Sequence, residues 1–372
     1  MWDEVNQRVE RKGPGGPRLI SVDNRWSDGA RLRDQHSSRK MGVVPRFDTL
    51  AELREFLGDN AAGMAQDTLS SAADSREKRR ADAAEVSHAI SKRWSEGLAA
   101  LDAAIFAMGQ NGLMMLKRLD EVDAADPNDA HQPVRVVLAL QQFNALIVLQ
   151  EIQVLLHAGF WSGGAARWRA LHEAAVTAII IAEGDASLAQ RYLDHGFVVQ
   201  TRRLAAYFGE HGVGPVAPAE LSLRSKKAAA LEQTHDVSDA SSKFREPYGW
   251  AIPLMATNVK GRRARPSMNA LEKLADLGHR RLLVASAHGI VHGDSGGIGG
   301  TLLLEDGQWL GGPTERFIET VARPTFETLI DLAGATHGGF EPELNDFCEL
   351  VCLVGSGLVA LCGDAIEKFP RG

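Results

Sequence analysis

Between residues 132 and 211 the chain alternates apolar and polar positions with a helical period. VRVVLALQQFNALIVLQEIQVLLHAG and WSGGAARWRALHEAAVTAIIIAEG place apolar side chains three or four apart, and Gly159 and Gly184 follow the last periodic positions as helix stops. Asp185 suits the N-cap of the next helix, which runs through RYLDHGFVVQTRRLAAYFGE. A more polar helix extends to about His235, residues 238–265 lack periodicity, and Ser267 is placed to cap one continuous helix through MNALEKLADLGHRRLLVASAHGIVH. Two more helices cover roughly 314–335 and 342–368. Upstream, Asp48 caps a short helix through LAELREFLGD. The proline-free stretch from Ser70 to Val122 reads as a long helix, charged at its start and apolar at its end. DAADPNDAHQP, residues 123–133, is a turn. TLLLEDGQWL offers a single short β-hairpin near 301–310, with Asp306-Gly307 at its turn. The predicted fold class is all-α, a multi-helix bundle.

The same pattern divides the chain. Residues 1–45 mix Gly, Pro, Arg, Asp and Ser without period and are expected to form a flexible arm. Residues 46–125 hold the N-terminal helices and 130–370 the main helical domain, with the core expected from 137–208 and 270–292.

Composition narrows the function classes. A net charge of -7 argues against a surface built as a whole to grip nucleic acid. Lys260, Arg262, Arg263 and Arg265 form the densest basic run, and Lys78, Arg79 and Arg80 a smaller one; both read as solvated faces. The three cysteines, Cys348, Cys352 and Cys362, share one apolar stretch and predict buried free thiols of a reducing compartment. The first residues carry no apolar run, and the segment 347–362 is short for a membrane span and contains Glu349. The expected location is cytoplasmic, with no membrane association, no cofactor and no metal.

Gly293-Asp294-Ser295-Gly296-Gly297 spells the string around the nucleophile of trypsin-like proteases. That chemistry needs a His and an Asp delivered by a β-barrel, and this string follows an amphipathic helix, so Gly293 is expected to be a helix stop. His288 and His292 are four apart on one helix face. With Asp294 they could serve a metal-dependent hydrolase, a distant alternative, because two or three candidate ligands do not complete a site.

RWRALHEAAVTAIII, residues 167–181, is the most informative stretch. Arg169, His172 and Glu173 fall at i, i+3 and i+4, one polar patch on a helix that turns apolar immediately afterwards. An inward Arg and Glu must be paired there, which predicts a partly buried ion pair anchoring a second helix or lining a cavity. The sequence R-A-L-H-E-A-A-V, the following L-A-Q-R-Y-L-D-H and a late V-H-G resemble a bacterial helical family, domain of unknown function 5677, over residues 135–295. The resemblance implies an all-α fold without assigned activity. It marks Arg169, Glu173, Arg191, Tyr192, His195, His292 and Gly293 as the matching positions. The Tyr and Ser that precede V-H-G in that family are not in register here, where Ser286 is displaced.

Arg167 followed five residues later by His172 is also similar to the motif of HEPN-type helical ribonucleases, which pair two Arg/His sets in a dimer. Arginine would stabilise charge on the scissile phosphate and histidine would move a proton. Trp168 stands where those enzymes carry a polar residue, and five residues rotate a helix by about 140°, away from alignment. The leading expectation is a binding or interaction module in a bacterial stress or defence setting, taking a protein partner or a small ligand through Arg169, Glu173, Arg191, Tyr192, His195 and His292. A HEPN-like endoribonuclease toxin with catalytic Arg167 and His172, RNA as substrate and a homodimeric assembly is the alternative.

Overall fold

A computed structural model describes residues 50–212, 217–257, 259–292, 303–305, 308–310, 312–340 and 366. The chain forms two compact units, residues 1–75 and 76–372. The expected arm, the capping Asp48, the protease-like string with Asp294, and all three cysteines lie outside the described residues.

The helices are α1 (Leu50–Arg93), α2 (Ser95–Ala125), α3 (Gln132–His157), α4 (Trp161–Glu183), α5 (Ala186–His211) and α6 (Pro218–His235). After them come a 3-10 turn (Gly249–Leu254), α7 (Met268–Leu274), a second 3-10 turn (Gly278–Arg280), α8 (Arg281–His292) and α9 (Ile318–Phe340). A two-stranded antiparallel hairpin, β1 (Leu303–Glu305) and β2 (Gln308–Leu310), sits before α9, with Leu304 opposite Trp309. The fold is the all-α bundle that the periodicity predicts, with that hairpin as the only strand pair among the described residues.

Local chemistry sets the boundaries. Asp185 accepts a hydrogen bond from Leu188 N at 2.8 Å and Ser267 from Ala270 N at 3.3 Å, so both caps form as the sequence indicates. Gly159 adopts φ 77, where a side chain would be strained, and a Cβ there would lie 2.8 Å from Thr314 N. Its carbonyl accepts from that same nitrogen at 3.0 Å, so the tight α3–α4 turn also anchors the irregular segment leading into α9.

Two expected helices are divided. The long helix breaks at Trp94, whose backbone leaves helical geometry (φ -113, ψ 20) while its side chain is buried. The helix after Ser267 breaks into α7, a 3-10 turn and α8, with Asp276 at φ 56, outside right-handed helical geometry, just past the end of α7. Within the second unit α4 is the central helix. Its Trp168, Leu171, Ala175 and Ile181 are buried among α3, α8 and α9. Close approach of α9 depends on small residues: a Cβ on Gly339 would sit 2.5 Å from that of Ala182. The core also draws on α2 and α9, through Leu101, Met108, Phe326 and Leu329, which the expected core omits. α2 and α3 are each long and apolar enough to cross a membrane by length and composition, with 39% and 56% of the relevant window buried in the bundle.

Candidate functional site

The polar residues singled out above go to three places. The first is a buried layer where α4 meets α7, α8 and α9. His172 is fully buried and its Nε2 lies 3.4 Å from Oε1 of Glu272, itself fully buried on α7. Neither ring nitrogen completes a hydrogen bond. Burial, reinforced by the nearby Arg280, His279 and Arg281, pushes the His172 pKa down to about 4, so the ring is neutral at pH 7. Burial raises the Glu272 pKa, opposed by Arg281, which donates to its Oε2 at 3.4 Å. Arg280 pairs with Asp331 of α9 and reaches Thr328 Oγ1 at 3.3 Å, and that hydroxyl also accepts from Trp168 Nε1 at 3.0 Å.

The outer edge of this layer holds the Arg169–Glu173 pair, 3.1 Å apart. Arg169 Nη1 also lies 2.5 Å from Nδ1 of His288 on α8, which requires that nitrogen to accept. The pair thus ties α4 to α8. His292 lies against His288 with the rings tilted by 50° and their centroids 4.2 Å apart, and is exposed. No group of three His, Cys, Asp or Glu side chains suited to hold a metal occurs among the described residues.

The second place is a clasp on α5. Arg191 donates to the carbonyls of Trp250 and Gly249 at 2.9 and 3.2 Å and lies over the Phe244 ring. His195 Nε2 sits 3.0 Å from the Glu246 carbonyl, and His235 pairs with Asp194 at 2.7 Å with its ring tilted against that of Phe244. Tyr192 turns toward α3, accepting from Gln141 at 2.7 Å and meeting Trp250 edge-on. The segment 238–265 is therefore ordered by side-chain-to-carbonyl bonds, with Gly249 so close to Phe244 that a Cβ would lie 1.9 Å from its carbonyl oxygen. Arg191, Tyr192 and His195 act within the fold here, apart from Arg169, Glu173 and His292; the six expected binding residues do not converge on one pocket.

The third place is the outer face of α3. Arg167 pairs there with Glu151. It lines a groove of about 510 Å³ with Ile147, Gln150, Glu151, Val154 and Leu155. A second groove, about 470 Å³, shares Val154 and runs toward Ala83, Ser87 and Phe160. Arg167 and His172 thus point to different surroundings, one to this open groove and one into the core. Leu140, Ile147 and Val154 are 52%, 56% and 66% exposed at seven-residue intervals along α3.

Residues 138–308 match DUF5677, a family of unknown function. The DUF5677 segment opens inside α3 and closes in the β1–β2 hairpin. It holds the grooved face of α3, the clasp and most of the buried layer, while Thr328 and Asp331 lie beyond it. No curated protein and no solved structure matches the chain.

Sequence reasoning missed Glu272, Arg280, Asp331 and the exposed α3 stripe. Glu272 sits in an ordinary amphipathic turn, so only its 0% exposure reveals its part in the layer. The stripe was visible as spacing, but a heptad of Leu, Ile and Val reads equally as core.

Proposed function

We propose that this protein is a helical interaction module that docks an apolar-faced helix of a protein partner along the outer side of α3. The observation that carries the reading is the composition of the groove wall. Ile147, Gln150, Glu151 and Val154 occupy i, i+3, i+4 and i+7, the four positions that form a hole for a side chain of a facing helix. The face around it carries little charge: among the exposed residues Leu140, Asn144, Ile147, Gln150, Glu151 and Val154, only Glu151 has an acidic or basic side chain, and it is paired with Arg167. An exposed apolar stripe flanked by grooves is the usual form of a helix-docking surface. His172 supports the same reading from the other side. A neutral imidazole sealed in the core has no path to an RNA phosphate, and Arg167 is not beside it.

The test is photo-crosslinking in cells with a reactive side chain at Val154 or Ile147 and, as a control, at exposed Glu210 on α5. The reading expects protein adducts at the two α3 positions, mapped to the apolar face of a helix, and none at the control. Adducts with RNA, or no adduct at either α3 position, would overturn it.

A further inference from the structure

The hole on α3 has a candidate knob within the same chain. Leu140 stands one heptad before Ile147 and is 52% exposed. If a second α3 lies antiparallel so that its Leu140 enters the Ile147–Gln150–Glu151–Val154 hole, the register is fixed. Residue numbers facing each other then sum to about 290, since the hole is centred between Gln150 and Glu151. In that register Ile147 faces the point between Phe143 and Asn144. Leu140, Phe143, Asn144 and Ile147 form the same i, i+3, i+4, i+7 arrangement, so the second knob also meets a hole. In this register the stripe is complementary to itself at two successive knobs.

Charge selects the same order. The two copies of Glu151 come to lie roughly 17 Å apart along the axis at 1.5 Å per residue, beyond the screening length of physiological salt. In parallel order Glu151 would face Glu151. Each Glu151 keeps its own Arg167, so the contact adds no unpaired charge. Phe143 walls that second hole with its backbone and Cβ, while its ring packs toward Gly112 of α2, where a Cβ would lie 3.0 Å from it.

We propose that the occupant of this face is a second copy of the chain, α3 against α3 in antiparallel order, with Leu140 of each copy in the Ile147–Val154 hole of the other. This rests on the interaction-module reading and names its partner.

The experiment is light scattering on the 372-residue chain at micromolar concentration. The expected mass is twice the 40.2 kDa of one chain. Ile147→Glu should halve it, with unchanged helical circular dichroism. Leu140→Cys combined with Gln150→Cys should give an interchain disulfide above the wild-type background, which neither single variant forms. A wild-type monomer, a dimer indifferent to Ile147→Glu, or a disulfide through Leu140→Cys alone would overturn the proposal. So would wild-type protein recovered on neutral phosphatidylcholine vesicles in place of a soluble dimer. A monomer whose α3 positions still crosslink to the helix of a different protein would leave the interaction module standing and remove only the self-pairing. A monomer without adducts would remove both.

Discussion

The neutral, buried His172 should make the protein sensitive to mild acid, and the size of the effect follows from its surroundings. In the unfolded chain a histidine takes up its proton near pH 6.5; in the folded protein His172 does so only near 4. Between those values the unfolded state binds the extra proton, so stability falls as pH falls through that window and is unaffected above it. The full displacement corresponds to about 3 kcal/mol, of which about 2 kcal/mol is already lost at pH 5. His195 and His337, whose pKa values burial also lowers, act in the same direction, while the raised Glu272 and Asp331 oppose it. A variant isolates the His172 share. His172→Phe keeps a flat ring beside Trp168, whose centroid is 5.5 Å away, and breaks no hydrogen bond, because neither ring nitrogen makes one. At pH 8 its stability should stay within about 1.5 kcal/mol of wild type, as for other shape-preserving core exchanges. Urea unfolding at pH 8 and pH 5 should then show the wild type losing about 2 kcal/mol more than the variant. Equal losses would refute the reasoning, since they would mean that His172 titrates alike in both states.

Gly249→Ala places a methyl group 1.9 Å from the Phe244 carbonyl oxygen and should cost about 1–3 kcal/mol, read from the thermal midpoint. Arg191→Met removes the donor to the Gly249 and Trp250 carbonyls; a loss of about 3 kcal/mol with faster amide exchange across 244–254 is expected, and unchanged exchange there would show that the clasp does not order the segment. Arg280→Met strands Asp331 and should destabilise by roughly 3 kcal/mol, while the double change with Asp331→Leu should recover most of it in a double-mutant cycle.

The parts legible in the sequence are those set by local chemistry. The α3 and α4 periodicity, the Gly159 reversal and the Asp185 and Ser267 caps each depend on a few neighbouring residues, and each appears in the structure. The Arg169–Glu173 pair was legible for the same reason, being one helical turn in span. What spacing could not reveal was the far partner. His172 sits three residues from Arg169, yet its environment is set by Glu272 and Arg280, about a hundred residues later. The break at Asp276 was hidden because an unbroken apolar pattern crosses it, and tertiary packing overrode that pattern. Arg191 and His195 matched a family pattern without disclosing that their partners are backbone carbonyls.

The turn at Gly159 bears on what counts as a folding unit here. The DUF5677 segment starts partway along α3, omitting buried Val134 and Val137, and ends before α9. Yet Gly159 bonds Thr314, and α4 lays its inner face on Val321, Phe326 and Leu329 of α9. Cut out at 138–308, the segment would bare that face to water and aggregate in place of folding. The stretch that matches DUF5677 is therefore smaller than the stretch that folds here. In this chain α9 is thus part of the folding unit although it lies outside the matched stretch.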